Sequence, residues 1–236
     1  MFAMILGPVF AAIRQVMSPP LRRMVLRSLG LTIVLLIGLW GLLTKLLEWV
    51  LRTYPISRDY PLVDGFVYFL GGAGLVVLLV FLLPPVLAFV GGFFVDDAAA
   101  IVERTDFPHD RPGEPQTVMA SVLYGLRFAG LALLLNLAAL TLIFIPFVNI
   151  AAFFAVNTYL LGREYFEMAA ARFRPAAEAT ALRRANRFRV MSAGAVLAGL
   201  MLVPVLNLLT PIFGIALMVH VHKRIAPGRA IAGPSP

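Results

Sequence analysis

The chain has no cysteine among its 236 residues, which excludes disulfides, thiolate metal sites and cysteine nucleophiles. Charge is also scarce. Asp, Glu, Lys and Arg fill 14% of positions, and no carboxylate falls inside a long apolar run, which argues against an intramembrane proton relay or aspartyl protease. No G-x-x-x-x-G-K-[ST] loop occurs, so the chain does not carry that ATP motor. The three histidines are His109, His220 and His222. The last two are spaced so that they do not share a helix face, which argues against a metal site. No catalytic set, metal or cofactor is expected. Met1 to Ile13 lacks the basic leader of a secretory signal, so cleavage is not expected.

What is abundant is apolar surface, with 61% of residues hydrophobic, more than a water-soluble fold can bury. The composition predicts an all-α integral membrane protein, a single domain over 1–236. Its net charge of +8 comes from basic residues that flank apolar segments. That placement suits topology and anionic headgroups, not nucleic acid.

Residues 1–27 read as an interfacial amphipathic helix with Phe2, Ile5, Val9, Phe10, Ile13 and Met17 at helical spacing and a break at Pro8. They lead into the start of the first crossing. Two long transmembrane helices follow, over 28–50 and 65–102, the second bent at Pro84-Pro85 and Gly91-Gly92. Residues 103–117 are a polar loop.

Two broken helical hairpins, 118–162 and 190–222, carry the same interruption: Ile145-Pro146-Phe147-Val148-Asn149-Ile150 and Val203-Pro204-Val205-Leu206-Asn207-Leu208. Duplicated interruptions of this kind point to a solute path. Ile150 to Gly162 reaches about 20 Å against a hydrocarbon core of about 30 Å, which predicts re-entrant, half-penetrating hairpins whose tips face protein or water. Full crossing with tilt and local thinning is the alternative. The tip residues are Pro146, Asn149, Pro204 and Asn207. Asn149 and Asn207, with Asn136, Thr141, Asn157 and Thr210, either hydrogen-bond a passing anion or join helices.

Between the hairpins, 163–189 reads as a basic connector of amphipathic helices, with Arg163, Glu164 and Glu167 at its start. Arg163 and Glu167 are spaced to pair on one face. The connector could focus anions at a pore mouth or fix topology. Lys45, Arg52 and Arg58 fall on one side of the membrane and the other basic residues on the opposite side, which places both termini in the cytoplasm.

Ser18-Pro19-Pro20-Leu21-Arg22-Arg23 has the form of a helix start, with Ser as cap and proline in the first turn. Free backbone N–H groups and two arginines there suit sulfate or phosphate. Anchoring in headgroups is the other reading.

Leu21-Arg22-Arg23, the phrase Tyr159-Leu160-Leu161-Gly162-Arg163-Glu164-Tyr165-Phe166-Glu167, and the paired hairpins with Pro146/Asn149 and Pro204/Asn207 resemble the CysZ-type sulfate permeases, within the etoposide-induced-protein-like membrane family. The resemblance covers nearly the whole chain. It implies a multi-pass protein of the bacterial inner membrane that admits sulfate for assimilation into cysteine, built from two long crossings and two half-penetrating hairpins and assembled as a homo-oligomer. It also implies a sulfate site at Leu21, Arg22 and Arg23. Pro20 stands where the family has glycine and supplies no N–H, so coordination leans on the side chains and the amides that follow.

The expected activity is channel-like sulfate permeation, neither enzymatic nor ATP-driven, with sulfate, membrane lipids and further copies of the chain as partners. The alternative is a non-transporting membrane organiser that grips lipid or protein through its connector.

Overall fold

The computed structural model describes residues 3–53, 61–115 and 148–226, and every element in them is a helix. In chain order these are α1 (Ala3–Val16), α2 (Pro19–Thr53), α3 (Pro61–Asp106), α4 (Val148–Ala171), α5 (Ala176–Ala185), α6 (Arg187–Met201), α7 (Pro204–Asn207) and α8 (Thr210–Ile225).

The 35 residues of α2 hold proline only at the first two positions and are otherwise rich in leucine, so nothing interrupts the helix for about 50 Å. It is long and apolar enough to cross a membrane, and only 6% of its most apolar window is buried. The core helix of a water-soluble protein would be covered. Here Ile33, Val34, Ile37, Leu42 and Leu46 are all at least half exposed, an apolar surface that requires hydrocarbon or a partner. The 46-residue α3 stays helical through Pro84-Pro85 and Gly91-Gly92 and ends at Asp106.

The chain divides into two compact units. One, Leu26–Gly92, holds most of α2 and the first part of α3. Its two helices meet where a methyl of Leu47 lies 2.9 Å from the position a Cβ would take on Gly71. The Thr32 hydroxyl donates to the Ser28 carbonyl at 2.8 Å, which hides a polar group within the helix.

The other unit comprises Met1–Val25 and Phe93–Pro236. Its centre is α8, buried continuously from Thr210 to Lys223, with α1 and α4 against it and α6 against α4. Phe166, Leu197, Ile215, Leu217, Met218 and Val219 form the core. α4 and α6 cross backbone to backbone. A Cβ on Gly194 would overlap the Thr158 carbonyl oxygen, and one on Gly162 would lie 3.0 Å from the Val190 carbonyl oxygen. Small residues at the crossing permit this approach.

The expected break at Pro8 does not occur, and α1 is helical on both sides of it. Pro8 sits early in the helix and costs one backbone hydrogen bond, while Ile5, Pro8, Ala12 and Val16 are buried along the side that packs on the unit.

The stretch 190–222 is helix, interruption, helix. Val203 is extended (φ −104°, ψ 110°) ahead of Pro204, which starts α7, as the steric demand of proline on its predecessor requires. α8 then begins with Pro211 in its first turn. The arms α6 and α8 have 15 and 16 residues, about 22 and 24 Å. Of the first expected hairpin, 118–162, residues 118–147 lie outside the described residues, and α4 covers the remainder.

Candidate functional site

The turn between α1 and α2 is closed by the Met17 amide donating to Ile13 and the Ser18 amide to Gln15. The Ser18 hydroxyl also donates to the Gln15 carbonyl. It therefore does not cap α2, contrary to the expectation, and its role is to hold the turn. The Ser18 carbonyl accepts from the Arg22 amide at 2.9 Å. Pro19 and Pro20 have no N–H to offer, so in the first turn the Leu21 amide alone is left without a backbone acceptor.

The Leu21 side chain is fully buried and, with Val25 one turn on, seats the helix start. Arg22 and Arg23 are exposed. The arrangement offers an anion one amide, the positive end of α2 and two guanidinium groups.

At the second interruption the Asn207 side-chain oxygen accepts from the Thr210 hydroxyl at 3.3 Å. Around it Leu202, Val203 and Leu206 are 60%, 45% and 40% exposed, so a polar residue sits within bare apolar surface. Pro204 enters as the first residue of α7. Asn149 falls in the first turn of α4, and Pro146 lies outside the described residues. No hydrogen bond or ion pair among the described residues joins Arg22 or Arg23 to Asn207.

The phrase from Gly162 to Glu167 is a junction of helices. Gly162 meets α6, Tyr165 packs its ring on Gly214 of α8, and Phe166 is fully buried. Glu167 is buried with Arg163 Nε at 3.5 Å and Arg183 Nε of α5 at 2.7 Å from Oε1. Among the described residues Glu164 has no such partner, and burial pushes its carboxyl up to about 7.

A second set of charges was not foreseen from sequence. Arg172, just past α4, donates Nε to Glu103 Oε1 at 2.7 Å, Nη2 to Glu103 Oε2 at 3.3 Å and Nη1 to Asp96 Oδ1 at 2.7 Å. Burial opposes its charge, but the hydrogen bonds and charges of Glu103 and Asp96 prevail and its pKa is raised. Glu103 also accepts from the Gly113 amide at 2.9 Å. The Glu114 amide donates to the Arg172 carbonyl at 2.8 Å. Buried Lys223 reaches Asp110 at 2.9 Å and lies over Phe173, 4.2 Å from its centroid.

The loop after α3 is thus fastened to α4 and α8 by buried charges. Asp96 and Glu103, about two helical turns apart on α3, were the available signal.

His220 Nε2 stands 3.2 Å from Asp106 Oδ2 without hydrogen-bond alignment, and His222 stacks on Phe173 with centroids 5.0 Å apart. The two histidines serve different neighbours.

Residues 9–211 match the family described as Sulfate transporter CysZ/Etoposide-induced protein 2.4. No curated protein matches the chain.

Proposed function

The chain belongs to that family, and from this premise we propose that it passes sulfate across the bacterial inner membrane for assimilation into cysteine. The matched region runs from α1 to the start of α8 and so includes the α2 start, the Gly162–Gly194 crossing and the second interruption. The observation that carries the reading is the α2 start: a free Leu21 amide beside exposed Arg22 and Arg23. Tetrahedral dianions suit that donor set.

In this reading α2 crosses the bilayer, and α3 crosses with its uncharged run of residues 65–95. The arms α6 and α8 are shorter than the roughly 30 Å core, so the hairpin around Pro204 and Asn207 dips in and returns. The repeated interruption at Pro146 and Asn149 leads us to expect the same of the first hairpin. Tips that expose polar backbone at depth require water or protein around them. Half-spanning helices cannot wall a pore alone, so several copies build it. The bare surface of Leu202, Val203 and Leu206 is where a neighbouring copy or lipid would sit.

By the distribution of Lys and Arg the termini and the 163–189 connector face the cytoplasm. The guanidinium groups of Arg22 and Arg23 then hold the anion on that side, and Arg163, Glu164 and Glu167 keep the connector folded. Flux is channel-like and down the electrochemical gradient. A dianion entering against a negative-inside potential costs about 2.3 kcal/mol per charge per 100 mV, so net entry depends on downstream consumption of sulfate.

The test is uptake of radiolabelled sulfate into vesicles holding the purified protein, without ATP and with imposed potassium diffusion potentials. Uptake should exceed that of protein-free vesicles and rise as the lumen is made positive. Uptake equal to that of protein-free vesicles at every potential rejects the reading.

The family description also names an etoposide-induced protein, which favours as second reading a non-transporting membrane organiser. On that reading vesicles stay sulfate-tight while the protein still captures anionic lipid or a membrane partner.

A further inference from the structure

A cavity of about 290 Å³ is lined by Ile5 and Pro8 of α1, Arg189 of α6, and Val221, Arg224 and Ile225 of α8. Its chemistry is divided: four apolar side chains and two guanidinium groups. Arg163, Arg172 and Arg183 of the same unit each have a carboxylate partner. Arg189 and Arg224 have none among the described residues.

Room for Arg224 is made by Gly7, since a Cβ there would overlap the guanidinium. The cavity wall is therefore shaped to keep an unpaired cation against α1.

Away from the buried side, α1 shows Leu6, Phe10 and Ile13, with Met17 one residue past its end, exposed by 51%, 66%, 46% and 67%. Their spacing places them in one stripe along the helix, and such a stripe enters the apolar side of a membrane interface. Arg224 is exposed and Arg189 half-buried, so water reaches both guanidinium groups, and an anion seated between them exchanges part of that water for charge-assisted hydrogen bonds. A free inorganic dianion would meet Ile5, Pro8, Val221 and Ile225, which offer no donors to replace lost water. An amphiphile meets both halves of the lining.

We propose that this cavity is a binding site for an anionic phospholipid, with the phosphodiester between Arg189 and Arg224 and the glycerol end against Ile5, Pro8, Val221 and Ile225. The acyl chains continue into the hydrocarbon that the stripe of α1 enters. The site depends on α1 lying at the interface and not on the sulfate route, so loss of sulfate flux and loss of lipid binding are separate outcomes.

The experiment is titration of the purified full-length protein in detergent with dioleoyl phosphatidylglycerol, read by native mass spectrometry. Dioleoyl phosphatidylcholine, inorganic phosphate and sulfate are run in parallel. Phosphatidylglycerol should bind saturably and at least about tenfold more tightly than phosphatidylcholine. Arg189→Gln/Arg224→Gln should remove that preference, whereas Arg184→Gln/Arg187→Gln, on exposed arginines outside the cavity, should keep it.

Arg224→Gln alone guards against misfolding of the double variant, because Arg224 is exposed and its replacement leaves the packing of the unit intact. It should weaken phosphatidylglycerol binding without lowering thermal stability. Equal binding of the two lipids, or an unchanged preference in both the double variant and Arg224→Gln, overturns the proposal. Complete displacement of lipid by millimolar phosphate or sulfate also overturns it, and assigns the cavity to a free oxyanion.

Discussion

Replacing Arg172 by methionine tests whether the buried charges fasten the loop after α3. Arg172 and Glu103 have side chains only 3% and 4% exposed and share two hydrogen bonds. Removing the guanidinium leaves Glu103 buried, with the Gly113 amide as its remaining donor. An orphaned buried charge costs about 3–5 kcal/mol. For a chain of this size that lowers the unfolding midpoint by about 6–20 °C.

Asp96 serves as an internal comparison. Its side chain is 44% exposed, so solvent screens the pair and Asp96→Asn should cost about 1 kcal/mol or less. The assay is thermal unfolding of the purified protein in detergent, followed by circular dichroism. Arg172→Met should fall furthest, Arg172→Lys less far, and Arg172→Met/Glu103→Gln should recover several degrees because the stranded charge is gone. If Arg172→Met melts within a degree or two of wild type, or if Glu103→Gln adds its full separate cost in the double variant, the ion pair is not what holds the loop.

Gly194→Ala should destabilise by about 1–3 kcal/mol, since the added methyl meets the Thr158 carbonyl at the α4–α6 crossing and overpacking must push the helices apart. Gly199→Ala on the same helix meets nothing within 4 Å and should be neutral or stabilising by up to about 1 kcal/mol; equal midpoints for the two variants would contradict the crossing. Glu164 should make stability fall with rising pH. Its carboxyl is raised from 4.5 to about 7 in the folded chain, so the folded state holds the proton that the unfolded state has released. Stability is then highest below 4.5 and is lost through about 7, a change of roughly 3 kcal/mol. Glu164→Gln should flatten that part of the profile, and parallel profiles for variant and wild type would contradict the assignment. Lys223→Met should expose the loop around Asp110 to faster amide exchange, because it removes the buried 2.9 Å pair; unchanged exchange over 107–115 would contradict it.

The long helices were legible because uncharged, leucine-rich runs leave the backbone no alternative to its own hydrogen bonds. The second interruption was legible because proline fixes its own φ and extends the residue before it, as Val203 shows. Pro8 misled for the opposite reason: one missing bond near a helix start is outweighed by packing, and only the tertiary fold supplies that packing.

Within the candidate site, the spacing of Arg163 and Glu167 could be read from one helix, but Arg183 could not, because it approaches from α5. The contacts of Arg172 to Asp96 and Glu103 span 76 and 69 residues, a distance over which local patterns carry no information. Ser18 had the residue type of a cap, yet the tight turn after α1 offered its hydroxyl the Gln15 carbonyl first.

The claim that sulfate passes by way of the α2 start is tested most directly by initial rates of radiolabelled sulfate entry into vesicles holding equal amounts of wild type or Arg22→Ala/Arg23→Ala protein. Both arginines are exposed, so the variant should fold and melt as wild type does. The account predicts that it conducts at no more than about a tenth of the wild-type rate, the loss of at least one charge-assisted contact. Equal rates for the two proteins would contradict it.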